Sequence, residues 1–333
     1  YNFRTNLTAK MSKRLTGTFT FSGKYDENRS PQGSYFWLFK PIIASDRGIG
    51  PYTVNNPLHL ASNSENINPL AFATESISGY EKWNNFQYQS TVDLSYEVPG
   101  ITGLKLSVVG AYDGNIQNWS NLAKAYNIYD KWSDALVRSW FPAKYRNTNT
   151  IFTRLVFQGQ ANYKNTFAGN HNVSGTLVWE AKIIDNNYIS ALRQYDNVYT
   201  TDIIDQGSLT NMQTAGNRSR QKYLSLLGRL NYDFKGKYLF EFLFREDGSY
   251  RYAPESRWAF FPSFSAGWRI SEESFMNNLE VISNLKLRAS YGMMGADAGN
   301  PFEYVAGYQF SGIDGGYVFN NNILTAGAYP PGV

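Results

Sequence analysis

The sequence predicts an all-β protein, a transmembrane antiparallel β-barrel of which these residues form part. Apolar and polar residues alternate over long stretches, as they do in strands whose two faces meet different surroundings. Short turns and long loops follow each other in regular succession along the chain. The composition combines 25 Tyr and 22 Phe with only 17% charged residues. This mixture suits a barrel that has one face in lipid and the other in water.

Several other classes of protein are disfavoured. No stretch approaches the roughly 20 consecutive apolar residues that a membrane-spanning helix needs. The chain contains no cysteine, which removes disulfides, thiolate nucleophiles and cysteine-based metal sites. The net charge of +4 comes from scattered basic residues, which form no long run or stripe that would bind nucleic acid. Nucleic acid is therefore not an expected partner.

The first hairpin lies at the start of the chain. From Phe3 to Met11 every second residue is apolar or small, and the residues between them are polar or basic. After a short polar turn at 12–14 the alternation resumes from Leu15 to Tyr25. Two strands joined by a tight turn are therefore expected.

The hairpin pattern recurs three times, and long loops separate the repeats. A slip of the strand at 224–234 by one residue would turn Arg229 and Asp233 toward lipid, which makes the alternation necessary. A soluble β-sandwich or a repeat solenoid is less consistent with the pattern, because sandwich strands usually have about 5 to 6 residues. The further strands are expected at 86–98 and 104–112, at 151–163 and 173–181, and at 224–234 and 238–244.

Four segments carry a resemblance to a known family. They read YNFRTNLTAKMSKRLTGTFTFSGK at 1–24, GRLNYDFKGKYLFEFLFREDGSYRYAP at 228–254, RWAFFPSFSAGWRISEESFM at 257–276 and NLKLRASYGMMG at 284–295. Together they resemble the SusC/RagA family of TonB-dependent transporters. The segments from 228 onward carry most of the likeness, and the long loops match less well.

The resemblance implies a barrel of about 22 strands around an N-terminal plug. It also implies energy delivered by TonB, and a SusD-like surface lipoprotein that captures substrate. Residues 1–333 are expected to be part of a single β-barrel domain, with the plug and the C-terminal strands outside them. The implied function is import of a large nutrient, an oligosaccharide or oligopeptide, across the bacterial outer membrane. A passive porin or surface adhesin barrel is the alternative, and a soluble β-domain or enzyme is the second alternative.

One strand within the resemblance has two chemically distinct faces. Trp268 is expected near the aromatic girdle at the membrane boundary. Glu272 and Glu273 follow Ser271 in a predicted periplasmic connection, where Ser before acidic residues suggests the start of a short helix. Lipid is expected to contact Phe264, Ala266, Trp268 and Ile270, and the lumen is expected to contact Ser263, Ser265, Gly267 and Arg269.

No catalytic, cofactor or metal site is expected. The only histidines, His59 and His171, lie in a loop or turn, so a histidine-based metal site or catalytic triad has little support. Lumen-facing arginines are expected to hold the plug or tune the electrostatic field, and these are Arg154, Arg229 and Arg288.

Aromatic residues in the extracellular loops are the best candidates for ligand or partner contact. Flat indole rings can stack on the apolar faces of sugars, although loop aromatics more often pack against their own loop or a partner protein. The candidates are Trp37, Trp119, Trp132 and Trp140.

Overall fold

The computed structural model describes most of the chain. The described residues are 1–32, 39–40, 42–43, 45, 50–195, 201–276, 281–298, 300–302, 304–305, 309–311, 317–319, 322–324 and 327–329.

The main element is a large antiparallel sheet, which has ten strands within the described residues. Its order is β1-β2-β4-β5-β8-β9-β10-β11-β12-β13, so each strand lies beside strands that are near it in sequence. The predicted all-β antiparallel fold is therefore confirmed. The strands are β1 (Asn2–Lys10), β2 (Leu15–Pro31), β4 (Gly79–Glu97), β5 (Leu104–Ala123), β8 (Ala143–Phe167), β9 (His171–Tyr195), β10 (Ser208–Phe234), β11 (Tyr238–Ser249), β12 (Trp258–Arg269) and β13 (Lys286–Gly292).

The chain divides into two compact units. The first unit contains Tyr1–Leu94, Val109–Val156 and Ile183–Gln221. The second unit contains Ser95–Val108, Phe157–Lys182 and Lys222–Val333. Each unit is described by itself below.

Strands β10 to β13 of the second unit have the predicted alternation. Phe242 lies opposite both Leu230 and Phe264, and Phe264 lies opposite Tyr291, so these four apolar side chains form one row across the strands. The residues between them in sequence are mainly polar or charged. We call the face with the apolar row the outer face and the opposite face the lumen face. Phe264, Ala266 and Trp268 are exposed on the outer face, as predicted, whereas Ile270 lies after the strand, in the 3₁₀ helix Ile270–Glu272.

Several strands are longer than the alternation predicted. Strand β4 begins at Gly79, β8 begins at Ala143, and β10 begins at Ser208 and has 27 residues. Their added parts contain Asn, Thr, Ser and charged residues on both faces, so apolar alternation stops where the strand continues. The predicted boundaries were wrong there. In β10 the added residues from Leu209 to Arg220 are all exposed, and a strand that has water on both sides needs backbone pairing but no apolar face.

A separate small sheet is formed by the segments that connect the long strands of the first unit. Its strands are β3 (Leu60–Ala61), β6 (Tyr126–Tyr129) and β7 (Leu136–Trp140), and two short helices, Pro69–Ala73 and Glu75–Ser78, follow β3 in the chain. We refer to residues 50–78 and 126–142 as the loop subdomain. Its buried apolar residues are Leu60, Ala61, Ile67, Ala71, Phe72 and Ile128.

A second apolar cluster of the first unit lies at the ends of its long strands. It joins Tyr80 of β4, Leu122 of β5, Tyr145 of β8 and Tyr195 of β9, with Ile204 packed against them. The Tyr80 hydroxyl donates a hydrogen bond to Asp202 at 2.8 Å. Burial and this carboxylate raise the pKa of Tyr80, which keeps the hydroxyl protonated as a donor.

The remaining elements are short. Three-residue strands β14 (Gln309–Ser311), β15 (Tyr317–Phe319), β16 (Asn322–Leu324) and β17 (Gly327–Tyr329) form two separate pairs, and 3₁₀ helices cover Ile204–Gln206, Pro254–Ser256, Ile270–Glu272 and Ser274–Met276. None of the helices within the described ranges has the length and apolar character needed to cross a membrane.

Candidate functional site

The structure places the four candidate tryptophans in different environments. Trp37 lies outside the described residues. Trp119 lies on β5 (Leu104–Ala123), so its predicted placement in a loop was wrong. Its ring packs against Trp83 of β4 with centroids 5.8 Å apart, and its indole nitrogen is buried and has no partner in the described part of the chain. Trp119 therefore lies within a pair of rings on neighbouring strands.

Trp140, at the end of β7, is held inside the loop subdomain. The ring of Tyr126 stacks on it at 5.8 Å, the ring of Phe72 meets it edge-on at 5.9 Å, and the Arg138 guanidinium lies 4.2 Å from its centroid. Burial raises the pKa of Tyr126 to about 12. These contacts surround the indole with side chains of its own subdomain, so its main role is packing.

Trp132 is the candidate that lies open to solvent. Its side chain is 70% exposed, and the Lys131 ammonium lies 5.0 Å from the centroid of its ring. Its backbone is fixed on both sides, because the Trp132 amide donates to Asp130 at 3.1 Å and the Asn55 side chain donates to the Trp132 carbonyl at 2.9 Å. Hydrogen bonds from the Ser133 and Trp132 amides lower the pKa of Asp130. An exposed ring on a rigid backbone is suited to contact a ligand or partner.

The segment that holds Trp132 is connected to the rest of the loop subdomain by Asp134. Both Asp134 oxygens lie about 3 Å from the His59 ring, at 2.9 and 3.0 Å from Nδ1, and Thr53 donates to the same carboxylate at 2.8 Å. The His59 ring also stacks on Tyr129, with centroids 3.8 Å apart. The hydrogen bonds from His59 and Thr53 lower the pKa of Asp134. His59 thus has structural contacts within the loop subdomain.

Asn68 connects three backbone groups of the loop subdomain through its side chain, and the sequence prediction missed it. Its side chain is fully buried, donates to the carbonyls of Pro51 and Ala61 at 2.8 Å each, and accepts from the Ala71 amide at 3.2 Å. The last contact caps the helix Pro69–Ala73. Asn before Pro is a sequence signal for a helix start, and it could have predicted this helix within the long loop.

The lumen face of the first unit contains a polar concavity of about 680 Å³. Within it, Arg154 forms a two-nitrogen contact with Asp113, at 2.9 Å from Nε and 2.5 Å from Nη2. Arg154 therefore has a partner on the neighbouring strand. Amide and basic side chains supply most of the other polar groups, namely Asn2, Arg4, Lys24, Gln87, Gln89 and Asn115.

The lumen face of the second unit contains a concavity of about 490 Å³. Arg229 contacts Glu241 on the adjacent strand through two nitrogens, with Nε at 2.8 Å. Arg288 lines the same concavity and forms no ion pair within the described residues. The three arginines predicted to face the lumen therefore all line lumen-side concavities, and their roles toward a plug stay a prediction.

Glu273, the second acidic residue after β12, has contacts other than the expected helix cap. The 3₁₀ helix Ile270–Glu272 has no side-chain cap. Instead, Glu273 accepts a hydrogen bond from the Trp268 indole at 3.1 Å and contacts the Lys237 ammonium at 3.2 Å. A hydrogen bond from Tyr238, followed by those from Trp268 and Lys237, lowers the pKa of Glu273. Nowhere in the described ranges do three or more His, Asp or Glu side chains form a cluster that could hold a metal ion.

The curated proteins to which this chain is similar in sequence are TonB-dependent receptors. Two TonB-dependent receptors of Formosa agariphila are 31% identical, one over 252 residues that cover 72% of this chain and the other over 205 residues that cover 53%. The TonB-dependent receptor SusC of Bacteroides thetaiotaomicron is 43% identical over 91 residues, or 27% of this chain. The matched segments span 22%, 20% and 9% of the lengths of these relatives. No family model matches the chain.

Comparison with solved structures identifies the same fold. The RagAB peptide importer in its closed-closed state matches 99% of this chain and 35% of the solved chain, with a TM-score of 0.72 and 19% identity. The open-open state gives a TM-score of 0.72 and 20% identity over the same shares. The large antiparallel sheet therefore matches part of the barrel of a TonB-dependent receptor. The sequence relatives show that the chain belongs to the TonB-dependent receptors of SusC/RagA type, which reside in the bacterial outer membrane and are not enzymes.

Proposed function

We propose that this chain supplies part of the barrel wall and extracellular loops of a TonB-dependent importer of a large nutrient. The observation that carries the proposal is the likeness to a curated TonB-dependent receptor through 72% of the chain. The two faces of the wall support it, because apolar side chains cover the outer face and polar side chains line both lumen concavities. A polar lumen is the route that a water-soluble nutrient requires.

The proposal includes the wider organisation of the protein. Residues 1–333 belong to a single β-barrel domain, whose plug and remaining strands lie in other parts of the protein. TonB acts through such a part, and outer-membrane lipid surrounds the wall. A SusD-like surface lipoprotein contacts the extracellular loops. The loop subdomain supports this contact, because its own apolar core stabilises its structure while the side chain of Trp132 is exposed.

The proposed substrate is an oligosaccharide or an oligopeptide. RagAB, whose barrel has the same fold, is a peptide importer. Among the candidate ligand residues, Trp132 has the most suitable geometry, because an exposed ring can stack on a sugar or on a peptide side chain. Trp119 and Trp140 are partly enclosed by their neighbours, so contact with substrate through them requires local rearrangement.

The test is uptake by cells that express the full-length protein as their only receptor of this type. Labelled oligosaccharide and oligopeptide mixtures are supplied with TonB active or inactivated. Accumulation of one mixture that is lost when TonB is inactive supports the proposal. Uptake that persists without TonB indicates a passive porin, and no uptake of either mixture contradicts import of these substrates. Purification from native outer membrane tests the partner, since a SusD-like lipoprotein is expected to purify with the receptor.

A further inference from the structure

The outer face of the second unit contains an apolar recess of about 480 Å³. Its floor is formed by Ala266 and Ala289, which lie directly opposite each other on β12 and β13. Phe240 lies opposite Ala266 on the other side, and Phe264 and Tyr291 form the row above. Two small side chains between rows of aromatic rings therefore create a notch in an otherwise bulky apolar surface.

The aromatic rings that border this notch are held in place by stacking. The rings of Phe242 and Phe264 stack with centroids 4.8 Å apart, and those of Tyr232 and Phe240 stack at 6.4 Å. Phe240, Phe264 and Tyr291 are nevertheless more than half exposed. In the outer membrane these exposed rings meet lipid, so a groove between them is a place for a hydrocarbon chain to pack.

The position of the notch along the strands indicates which part of a lipid it meets. Trp268, Tyr238 and Leu287 form the next row, about 7 Å along the strands. The Trp268 indole donates to Glu273 in the connection after β12, as expected for an aromatic girdle at the membrane boundary. The notch therefore lies just inside the boundary, at the depth of the first methylene groups of an acyl chain.

A cation lies on the polar side of the same girdle. The turn between β10 and β11 contains Lys235 and Lys237, and Lys237 is paired with Glu273 at 3.2 Å. Lys235 is exposed, its ammonium lies 5.4 Å from the Phe234 ring, and it has no carboxylate partner in the described ranges. An available ammonium group at the headgroup level and an apolar notch at the acyl level match the two ends of a phospholipid.

We propose that this notch binds one phospholipid of the outer membrane, with its phosphate at Lys235 and one acyl chain between Phe240, Ala266 and Ala289. The short turn that contains Lys235 is of the kind that faces the periplasm, so the lipid comes from the periplasmic leaflet. The bound lipid fills the recess and completes the outer face at this position. The inference rests on the membrane location of the chain and is independent of what the protein imports.

The test measures phospholipid that stays bound to the full-length receptor. The receptor is purified from native membrane, washed in mild detergent, and analysed for phospholipid per protein by mass spectrometry. Ala266→Leu and Ala289→Leu fill the notch, so the leucine side chain takes the space of methylene groups of the acyl chain. Each is expected to lower the retained phospholipid by about tenfold. Lys235→Gln is expected to lower it by a smaller factor, because it removes only the contact with phosphate.

Ala161→Leu is the matched control, since Ala161 lies on β8 away from the notch. It is expected to retain phospholipid as the wild type does, and heat-dependent gel mobility verifies that every variant is folded. Equal retention by Ala266→Leu and the wild type overturns the proposal, as does an equal loss in Ala161→Leu. If lipid A is found in place of phospholipid, the proposed occupant is wrong. The same conclusion follows if Lys235→Gln retains as much phospholipid as the wild type.

Discussion

Phe264 in the large sheet is 52% exposed, whereas Ile128 in the loop subdomain is fully buried. The sheet carries its bulky apolar residues on its outer surface, and the loop subdomain packs them inside, as a water-soluble domain does. The sheet therefore depends on lipid to bury its apolar side chains, while the loop subdomain depends on its own contacts. We expect changes in the two regions to have separate effects on stability.

The largest expected effect comes from a charge on the outer face of the sheet. Phe264→Arg places a guanidinium in lipid, which costs about 2 to 4 kcal/mol near the membrane midplane. It also removes the stacking with Phe242. We expect a large loss of folded receptor in the outer membrane, measured by heat-dependent gel mobility and by urea unfolding in lipid vesicles.

Ser265→Arg is the control for this change, because Ser265 lies on the lumen face and lines the concavity of the second unit. We expect it to fold at close to the wild-type level. If both arginine variants lose the same stability, the two faces do not differ in their surroundings and the assignment of the outer face is wrong.

The second effect isolates the loop subdomain. Asn68→Ala removes a helix cap and leaves the Pro51 and Ala61 carbonyls without their donor, at a cost of about 1 to 3 kcal/mol. We expect faster hydrogen exchange throughout the loop subdomain and unchanged exchange in β11 and β12, measured by mass spectrometry. Faster exchange in β11 and β12 as well would show that the two regions unfold together.

The third effect is a dependence on pH that is confined to the loop subdomain. Because the pKa of Asp134 is lowered in the folded state, its contacts stabilise the subdomain above the ordinary Asp pKa of about 3.9. This stabilisation is lost as the pH falls through the lowered pKa. We expect limited proteolysis at 50–78 to increase in acid, and Asp134→Asn to be sensitive already at neutral pH. An acid response that is identical in this variant would contradict the role of Asp134.

The smallest expected effect concerns Trp132. Trp132→Ala leaves stability unchanged, because the ring is 70% exposed, and removes a stacking contact of about 0.5 to 1.5 kcal/mol. We expect weaker capture of substrate or surface lipoprotein, measured by binding to the full-length receptor. Leu58→Ala removes an exposed side chain without a flat ring and is expected to bind normally. Equal binding by the wild type and Trp132→Ala would exclude Trp132 from the contact surface.

The sheet could be predicted because its outer face requires an apolar side chain at every second residue. Leu230, Phe242 and Phe264 each stand in an alternating run, and the same row appears in the structure. The alternation weakens where β10 extends from Leu224 back to Ser208, so the predicted strand began too late. Pairing with a neighbouring strand, which leaves no periodic pattern in one chain, holds those residues in place.

The loop subdomain could not be predicted for a different reason. Its small sheet joins Leu60 to Ile128, residues that are far apart in the sequence and stand in no periodic run. The environments of the tryptophans could not be predicted either. Trp132 and Trp140 are only eight residues apart, yet Trp132 is exposed and Trp140 is packed inside the subdomain. Only the contacts of Tyr126, Phe72 and Arg138 distinguish them. The residue type identified these tryptophans as candidates, but only the tertiary packing shows which of them is exposed.

The measurement that tests the central claim most directly is cysteine labelling along β12 (Trp258–Arg269). Residues 1–333 contain no cysteine. Single cysteine substitutions from Ser263 to Trp268 are made one at a time in a full-length receptor from which any cysteine elsewhere has been removed. A polar maleimide is added to receptor in intact outer-membrane vesicles. We expect labelling at Ser263, Ser265 and Gly267 and protection at Phe264, Ala266 and Trp268. Labelling that is uniform along the strand would contradict a wall with one face in lipid and the other in water.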